Sequence, residues 1–409
     1  MSQVPVVITP ADRPAALGIA RSLGPRGIPV HGIDADPMAF GLASRYITPH
    51  PLPNADDTEE NRLQFLLSLG KQLGQAVLYP LRDDDVILCS RERKQLEKYY
   101  LSVMPDHATV MNLLTKDGLT RVAQSFGVSA PAMFVPRDLG EVEVMARQLS
   151  YPVLIKPMVS PSWLRPEIVS LLRDDPLSGP AKVALCQDPE SLVSIYRQVA
   201  VYDSRVIIQE VIPGEDEHLV YFCFYLDRES RPLATFAGRK LRLLPVGFGS
   251  ASYVRSFRDR ELEEISLQFL RDVRYRGLGG IEFKKDPRDG AYKLIEFNVR
   301  FGMWDALGVR CGVDIPYISY CDALGLPVEP QHDYRENIAW IDLQRDIRAF
   351  LIYRKKNQLS MAQWLKSLRG EKDWSVYAPG DWKPAIYEGL KLFERPLSFA
   401  RQRIPFVHK

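Results

Sequence analysis

The segment from Gly279 to Gly302, GGIEFKKDPRDGAYKLIEFNVRFG, constrains this chain more than any other. Two stretches of alternating apolar and polar residues flank a Pro-Arg-Asp-Gly turn, the pattern of an antiparallel β-hairpin. Centring the turn on Asp289 sets Glu282 opposite Glu296, and the two-residue period of a strand carries Asn298 and Arg300 to the same face. Ile281, Phe283, Ile295 and Phe297 then share the other face, the one to bury. Two carboxylates directly across a strand pair repel. Either a cation lies between them, or the face is solvated and neutralised by Lys284 or Arg300; alternation alone does not choose. Mg²⁺ is held by one or two carboxylates and completes its shell with substrate phosphates, so Glu282, Glu296 and the Asn298 carbonyl form a credible set for it.

The hairpin sits in a chain of 409 residues, long enough for two or three domains. The first of these starts as a parallel α/β sheet: a strand at Val4–Ile8, a helix through Ala16 and Leu23, strands at Pro29–Ile33 and Val77–Pro80. Asp83, Asp84 and Asp85 open the next helix, where they either cap it or, with Arg82, lie where an N-terminal domain could help recognise a substrate. The texture changes near Met104. From Tyr151 to Val299 strands dominate, interrupted by one helix expected at Arg258–Tyr275, and the end of the chain from about residue 330 is mixed, with a helical stretch at Met361–Leu368. The expected units are residues 1–105, 106–205, 206–330 and 331–409, the last without legible chemistry.

Composition excludes several classes. Lys and Arg number 53 against 51 Asp and Glu, so the broad basic field of a nucleic-acid or anionic-membrane binder is missing. Five scattered cysteines without a CxxC pair fit a reducing cytoplasm, and no long apolar run reads as a leader or a membrane span. The first strand is followed by TPADRPAALG rather than G-x-G-x-x-G, which argues against a dinucleotide-binding oxidoreductase.

Three further motifs are soft one at a time. YPVLIKP (151–157) ends an apolar strand in Lys156, a point charge suited to phosphates or an ordinary surface lysine. Lys116, opening the TKDGLTRVA helix, is equally plain. VIIQEVIPGEDEHLVYF (206–222) runs from strand through a connection to strand; the backbone of Glu210, Val211 and Ile212 suits a purine and Asp216 or Glu217 a ribose, unless this is an acidic loop. GRKLR (238–242) gathers Arg239, Lys240 and Arg242, either to stabilise a phosphoryl group or to protect a sheet edge.

Their order is what speaks. A helix lysine, a strand lysine before proline, Q-E-x-I-P-G, a basic strand, G-x-E-F and I-E-x-N-x-R resemble the ATP-grasp superfamily, in particular its ATP-dependent carboligase branch, which includes D-aspartate ligase. The likeness runs over most of residues 1–325. It implies an ATP-grasp fold, α/β and α+β, behind an N-terminal parallel α/β domain. It implies that Lys116 and Lys156 contact ATP phosphates, that Gln209, Glu210, Val211 and Ile212 form the adenine hinge, and that Asp216 or Glu217 takes the ribose. Glu282, Glu296 and Asn298 match the Mg²⁺ ligands, with Mn²⁺ as a substitute. Arg300 matches the arginine steadying charge on the substrate, with Arg239 and Lys240 beside the phosphates. One departure stands out: where many relatives carry a glycine-rich loop after the second lysine, residues 157–163 read PMVSPSW, so Ser160 or Ser162, or a lid over Trp163–Pro180, would cover the phosphates.

The activity implied is amide formation from a small carboxylate and an amine, both amino-acid-like, through an acyl phosphate, in a cytoplasmic protein for which a homodimer is open. A bicarbonate-phosphorylating carboxylase of the same superfamily and a non-catalytic nucleotide-binding regulator are the alternatives.

Overall fold

A computed structural model describes residues 3–53, 57–158, 163, 166–172 and 183–391, and among them strands form three sheets. The first is parallel throughout, in the order Ile47–Pro51, Val30–Asp34, Val6–Thr9, Ala76–Pro80, Tyr100–Leu101. Val6–Thr9 and Ala76–Pro80 are buried at every residue, as a sheet covered on both faces requires. Ile47–Pro51 escapes a reading by pattern because two of its five residues are prolines, which a strand tolerates only at an edge, and an edge is where it lies. The strand order reverses between Val6–Thr9 and Ala76–Pro80, which leaves a crevice beyond their carboxyl ends.

The second sheet is antiparallel: Met133–Phe134, Val206–Glu210, Val153–Pro157, Ala184–Cys186. Helices Leu139–Ala146 and Pro189–Ala200 cover it through Val142, Ala146, Leu192, Tyr196 and Val199. Pro189–Ala200 corrects the expectation of a single helix among the strands of 151–299; its signal is the capping box of Asp188 and Ser191 with proline in the first turn.

The third sheet has seven strands in the order Tyr292–Asn298, Gly277–Lys285, Leu219–Leu226, Pro232–Leu244, Ser250–Ser256, Ala339–Ile341, Lys372–Trp374. Alternation splits its side chains between two cores. Val220, Phe222, Phe224, Ile281 and Phe283 pack beneath the helix Arg260–Asp272, while Tyr221, Cys223, Tyr225 and Phe236 pack toward the N-terminal domain. No helix among the described residues is long and apolar enough to cross a membrane, and all five cysteines are free and buried.

Residues beyond 330 form the helix Met361–Ser367 where a helical stretch was expected, and also supply two strands of the large sheet and a helix, Leu343–Lys355, that docks on it. The dock is electrostatic. Asp346, fully buried, accepts from Arg242 Nε at 2.7 Å and Nη2 at 2.9 Å, from Ser252 at 3.1 Å and from Trp364 Nε1 at 2.8 Å. Farther on, the carboxylate of Asp381 ties this segment to the N-terminal domain through Arg21, Ser44 and the Arg45 amide. Deleting one partner of a buried ion pair strands the other charge, so Asp346→Ala is expected to lower stability by about 3–5 kcal/mol; urea denaturation measures it, and a loss below about 1 kcal/mol would refute this account of the dock.

Candidate active site

Glu282 lies opposite Glu296 in the hairpin, but Phe283 pairs with Leu294, so Ile295 is an extra residue, a bulge. The bulge corrects the expected apolar face. Ile295 packs with the core of Tyr221 and Trp304, and Leu294 joins Ile281, Phe283 and Phe297 in its place. Gly280 makes room on the acidic face, since a Cβ there would fall 2.1 Å from the Tyr221 ring. Tyr221 pairs with Glu282 across the next strand, and Lys240, two residues beyond its other partner Gly238, points to the same face. Lys240 forms a buried ion pair with Glu282.

Lys240, not Lys284, therefore neutralises one carboxylate; Lys284 sits toward Glu215 and Asp216, and burial lowers its pKa against their pull. Glu296 keeps no ion pair or hydrogen bond among the described residues. Solvent reaches its side chain although protein surrounds it, the situation of a residue on a cleft floor, and desolvation with the neighbouring Glu282 raises its pKa. Asn298 is buried, and its side-chain amide has no partner among the described residues. Two carboxylates and an unclaimed amide on one face fit a hard divalent cation. No group of three or more His, Cys, Asp or Glu gathers among the described residues, so such an ion would draw its remaining ligands from water or phosphate.

The lysines approach from the smaller sheet and its neighbouring helix. Lys156, on Val153–Pro157, donates to Gln209 Oε1, and Lys116, at the start of Lys116–Ser125, donates to the Pro157 carbonyl at 3.1 Å. Desolvation, then the charge of Lys116, pulls Lys156 down to about 7, with Glu296 opposing. The cleft thus carries a pair of cations beside a pair of anions, each pair held together against repulsion.

Arg300 follows the hairpin and donates from Nε to Asp83 Oδ1 at 2.6 Å. This contact crosses 217 positions and brings the N-terminal domain to the cleft. Below it, buried Asp305 accepts from the Gly302 amide at 2.5 Å and from Cys223 Sγ at 3.3 Å, and burial raises its pKa to about 6.

Two expectations need revision. Arg239 pairs with Val220 and so points to the opposite face of the sheet from Lys240 and Glu282, its guanidinium 4.6 Å over the Phe257 ring; successive residues of a strand cannot both face the cleft. Asp216 is engaged by the Tyr353 hydroxyl of the C-terminal helix, which leaves exposed Glu217 as the open one of the two expected ribose carboxylates. Glu210 is likewise committed, to the Ala132 amide at 3.0 Å and Arg288 at 2.6 Å, while Val211 and Ile212 follow the strand end. Ser160, Ser162 and most of 163–180 lie outside the described residues; Trp163 and Ile168 are buried in the core of the smaller sheet. Tyr353 and Asp305 were not singled out by sequence, because their contacts with Asp216 and Cys223 cross 137 and 82 positions.

No protein-family model matches the chain. Over 222 residues, 53% of its length, it is 25% identical to D-aspartate ligase of Enterococcus faecium (strain Aus0004), and the match spans 51% of that protein. Solved structures align more widely at lower identity. Biotin carboxylase of Campylobacter jejuni covers 82% of this chain and 74% of its own, with a TM-score of 0.61 at 15% identity. L-amino acid ligase of Bacillus licheniformis covers 80% and 75%, at 0.58 and 16%. N5-carboxyaminoimidazole synthetase of Staphylococcus aureus covers 81% and 80%, at 0.58 and 10%. These enzymes share the ATP-grasp fold, and the chain has that fold. Within that class its sequence is similar to D-aspartate ligase over about half of each chain.

Lys156 sits at about 7 against an ordinary 10.5, so between those values the unfolded chain binds more protons and ligand-free stability rises with pH. Lys156→Met removes this dependence. Its stability relative to wild type should be greatest at and below pH 7 and should shrink toward pH 10, read by urea denaturation across pH. A difference that does not change with pH contradicts the lowered pKa.

Proposed function

We propose that the chain is an ATP-dependent carboxylate–amine ligase working through an acyl phosphate. The observation that carries this reading is the double like-charge arrangement: Glu282 with Glu296, and Lys116 with Lys156, around one cleft. A triphosphate answers the lysines and a divalent cation the carboxylates. When bound by Glu282, Glu296 and Asn298, Mg²⁺ would neutralise phosphate charge and fix the phosphate chain.

In this reading Lys116 and Lys156 orient the phosphates, the backbone of Gln209–Ile212 lines the adenine, and Glu217 takes the ribose. Lys240 holds Glu282 in place. Arg300 receives the substrate carboxylate. A carboxylate oxygen bonds to the γ-phosphorus, the bridging P–O bond breaks and ADP departs. The amine nitrogen then bonds to the carbonyl carbon and the C–O bond to phosphate breaks. An incoming ammonium sheds two protons, one leaving on phosphate as HPO₄²⁻ and one passing to solvent. Such chemistry asks the protein mainly for positioning and charge neutralisation.

Hydroxylamine, uncharged near neutral pH, traps an acyl phosphate as a hydroxamate. Incubation with ATP, Mg²⁺, hydroxylamine and an amino-acid library should release ADP and give a hydroxamate by mass spectrometry, without dependence on bicarbonate. Bicarbonate-dependent ADP release would assign the cleft to a carboxylase. Glu296→Gln should cut hydroxamate formation about 10²-fold or more, as several kcal/mol of charge stabilisation implies; wild-type turnover in that variant would defeat the metal assignment.

A further inference from the structure

Asp83 is a carboxylate without an explained role. It stands in the first turn of Asp83–Arg91, yet that helix has no side-chain cap, and Asp83 is directed to Arg300 instead. The segment bearing it is rigidly held. Arg82 donates to Asp85 at 3.0 and 3.2 Å and to Asp57 at 2.9 Å, and Arg62 bridges the same two carboxylates at 3.0 and 3.1 Å. Leu81 N–H bonds to the Thr9 carbonyl at 2.7 Å, which seats the segment at the crevice where the strand order of the parallel sheet reverses. Open α/β sheets bind ligands at that place. Asp83 is thus preorganised there at 48% side-chain exposure.

Its two oxygens differ. Oδ1 is bonded to Arg300, whereas Oδ2 has no partner among the described residues. The cations of the cleft are already accounted for by phosphate, by Glu282 and by the substrate carboxylate, so an oxygen left over beside them calls for a cation from outside. Of the reactants in the proposed reaction, the amine is the one that arrives positive.

We infer that Asp83 receives the ammonium of the acceptor amine on Oδ2, in the crevice of the N-terminal domain, while Oδ1 orients the arginine that holds the acyl group. One carboxylate would then join nucleophile and electrophile across the domain junction, with the nitrogen within reach of the carbonyl carbon. The inference rests on the ligase reading and adds to it the class and location of the second substrate: a protonated primary amine entering from the crevice, not from the nucleotide side.

The test uses the full chain, the acid identified in the hydroxamate assay, and two acceptors, hydroxylamine and a panel of amino acids. Asp83→Asn preserves shape at an exposed position, and Asp84→Asn is the control. Losing one charge-assisted hydrogen bond should raise the KM for the amino-acid acceptor about tenfold or more beyond whatever hydroxamate formation loses through Arg300, since hydroxylamine carries no charge to be held, with the KM for ATP within about twofold of wild type. Asp84→Asn should match wild type with both acceptors. Unchanged amino-acid coupling by Asp83→Asn overturns the assignment. Equal loss of hydroxamate and amide also overturns it, because Asp83 would then serve only the acid through Arg300. A wild-type protein that yields neither ADP nor hydroxamate brings down the ligase reading itself, and this inference with it.

Discussion

The cleft is organised by repulsion that the fold does not relieve on its own. Glu282 and Glu296 face each other across a hairpin, and Lys156 lies close enough to Lys116 for that charge to help lower its pKa. Lys240 compensates Glu282, but the side chains of Glu296 and Asn298 have no partner among the described residues. Holding such groups together has a free-energy cost that packing elsewhere must offset. The seven-stranded sheet with a core on each face does this, and the small residue Gly280 admits Tyr221 beside the carboxylate. A site built in this way discriminates by charge: it is complementary to a polyanion and a dication together and to neither alone.

Two remote segments fix its walls. The N-terminal domain reaches the cleft through the Asp83–Arg300 pair, and the C-terminal helix reaches the hinge loop through Tyr353 and Asp216. Both contacts use a carboxylate on the first residue of a helical turn, and both depend on anchors deeper in the protein, the Arg62–Arg82 network on one side and Arg242–Asp346 on the other. The residues beyond 330 are therefore part of the architecture around the cleft, not an appendage to it.

How much of this was legible in the sequence follows from the range of the interactions. The hairpin register was readable because strand alternation is local, and it survives at Glu282 and Glu296 even though a bulge displaces Ile295. The ATP-grasp fold was readable from the order of motifs. Arg239 was misplaced because composition gathers neighbouring cations whereas the pleat separates them. Ile47–Pro51 was missed because its prolines suit only an edge, which a linear pattern does not reveal. Asp83 and Asp216 were seen, but what they contact depends on packing between segments 217 and 137 positions apart.

Everything rests on one cation lying between two carboxylates on the hairpin. The direct measurement is anomalous diffraction from crystals grown with Mn²⁺ and a non-hydrolysable ATP analogue. The account predicts a manganese peak about 2.1 Å from oxygens of Glu282 and Glu296, with the triphosphate running toward Lys116 and Lys156. Nucleotide bound in another cleft, or bound here with the metal away from both glutamates, would contradict it.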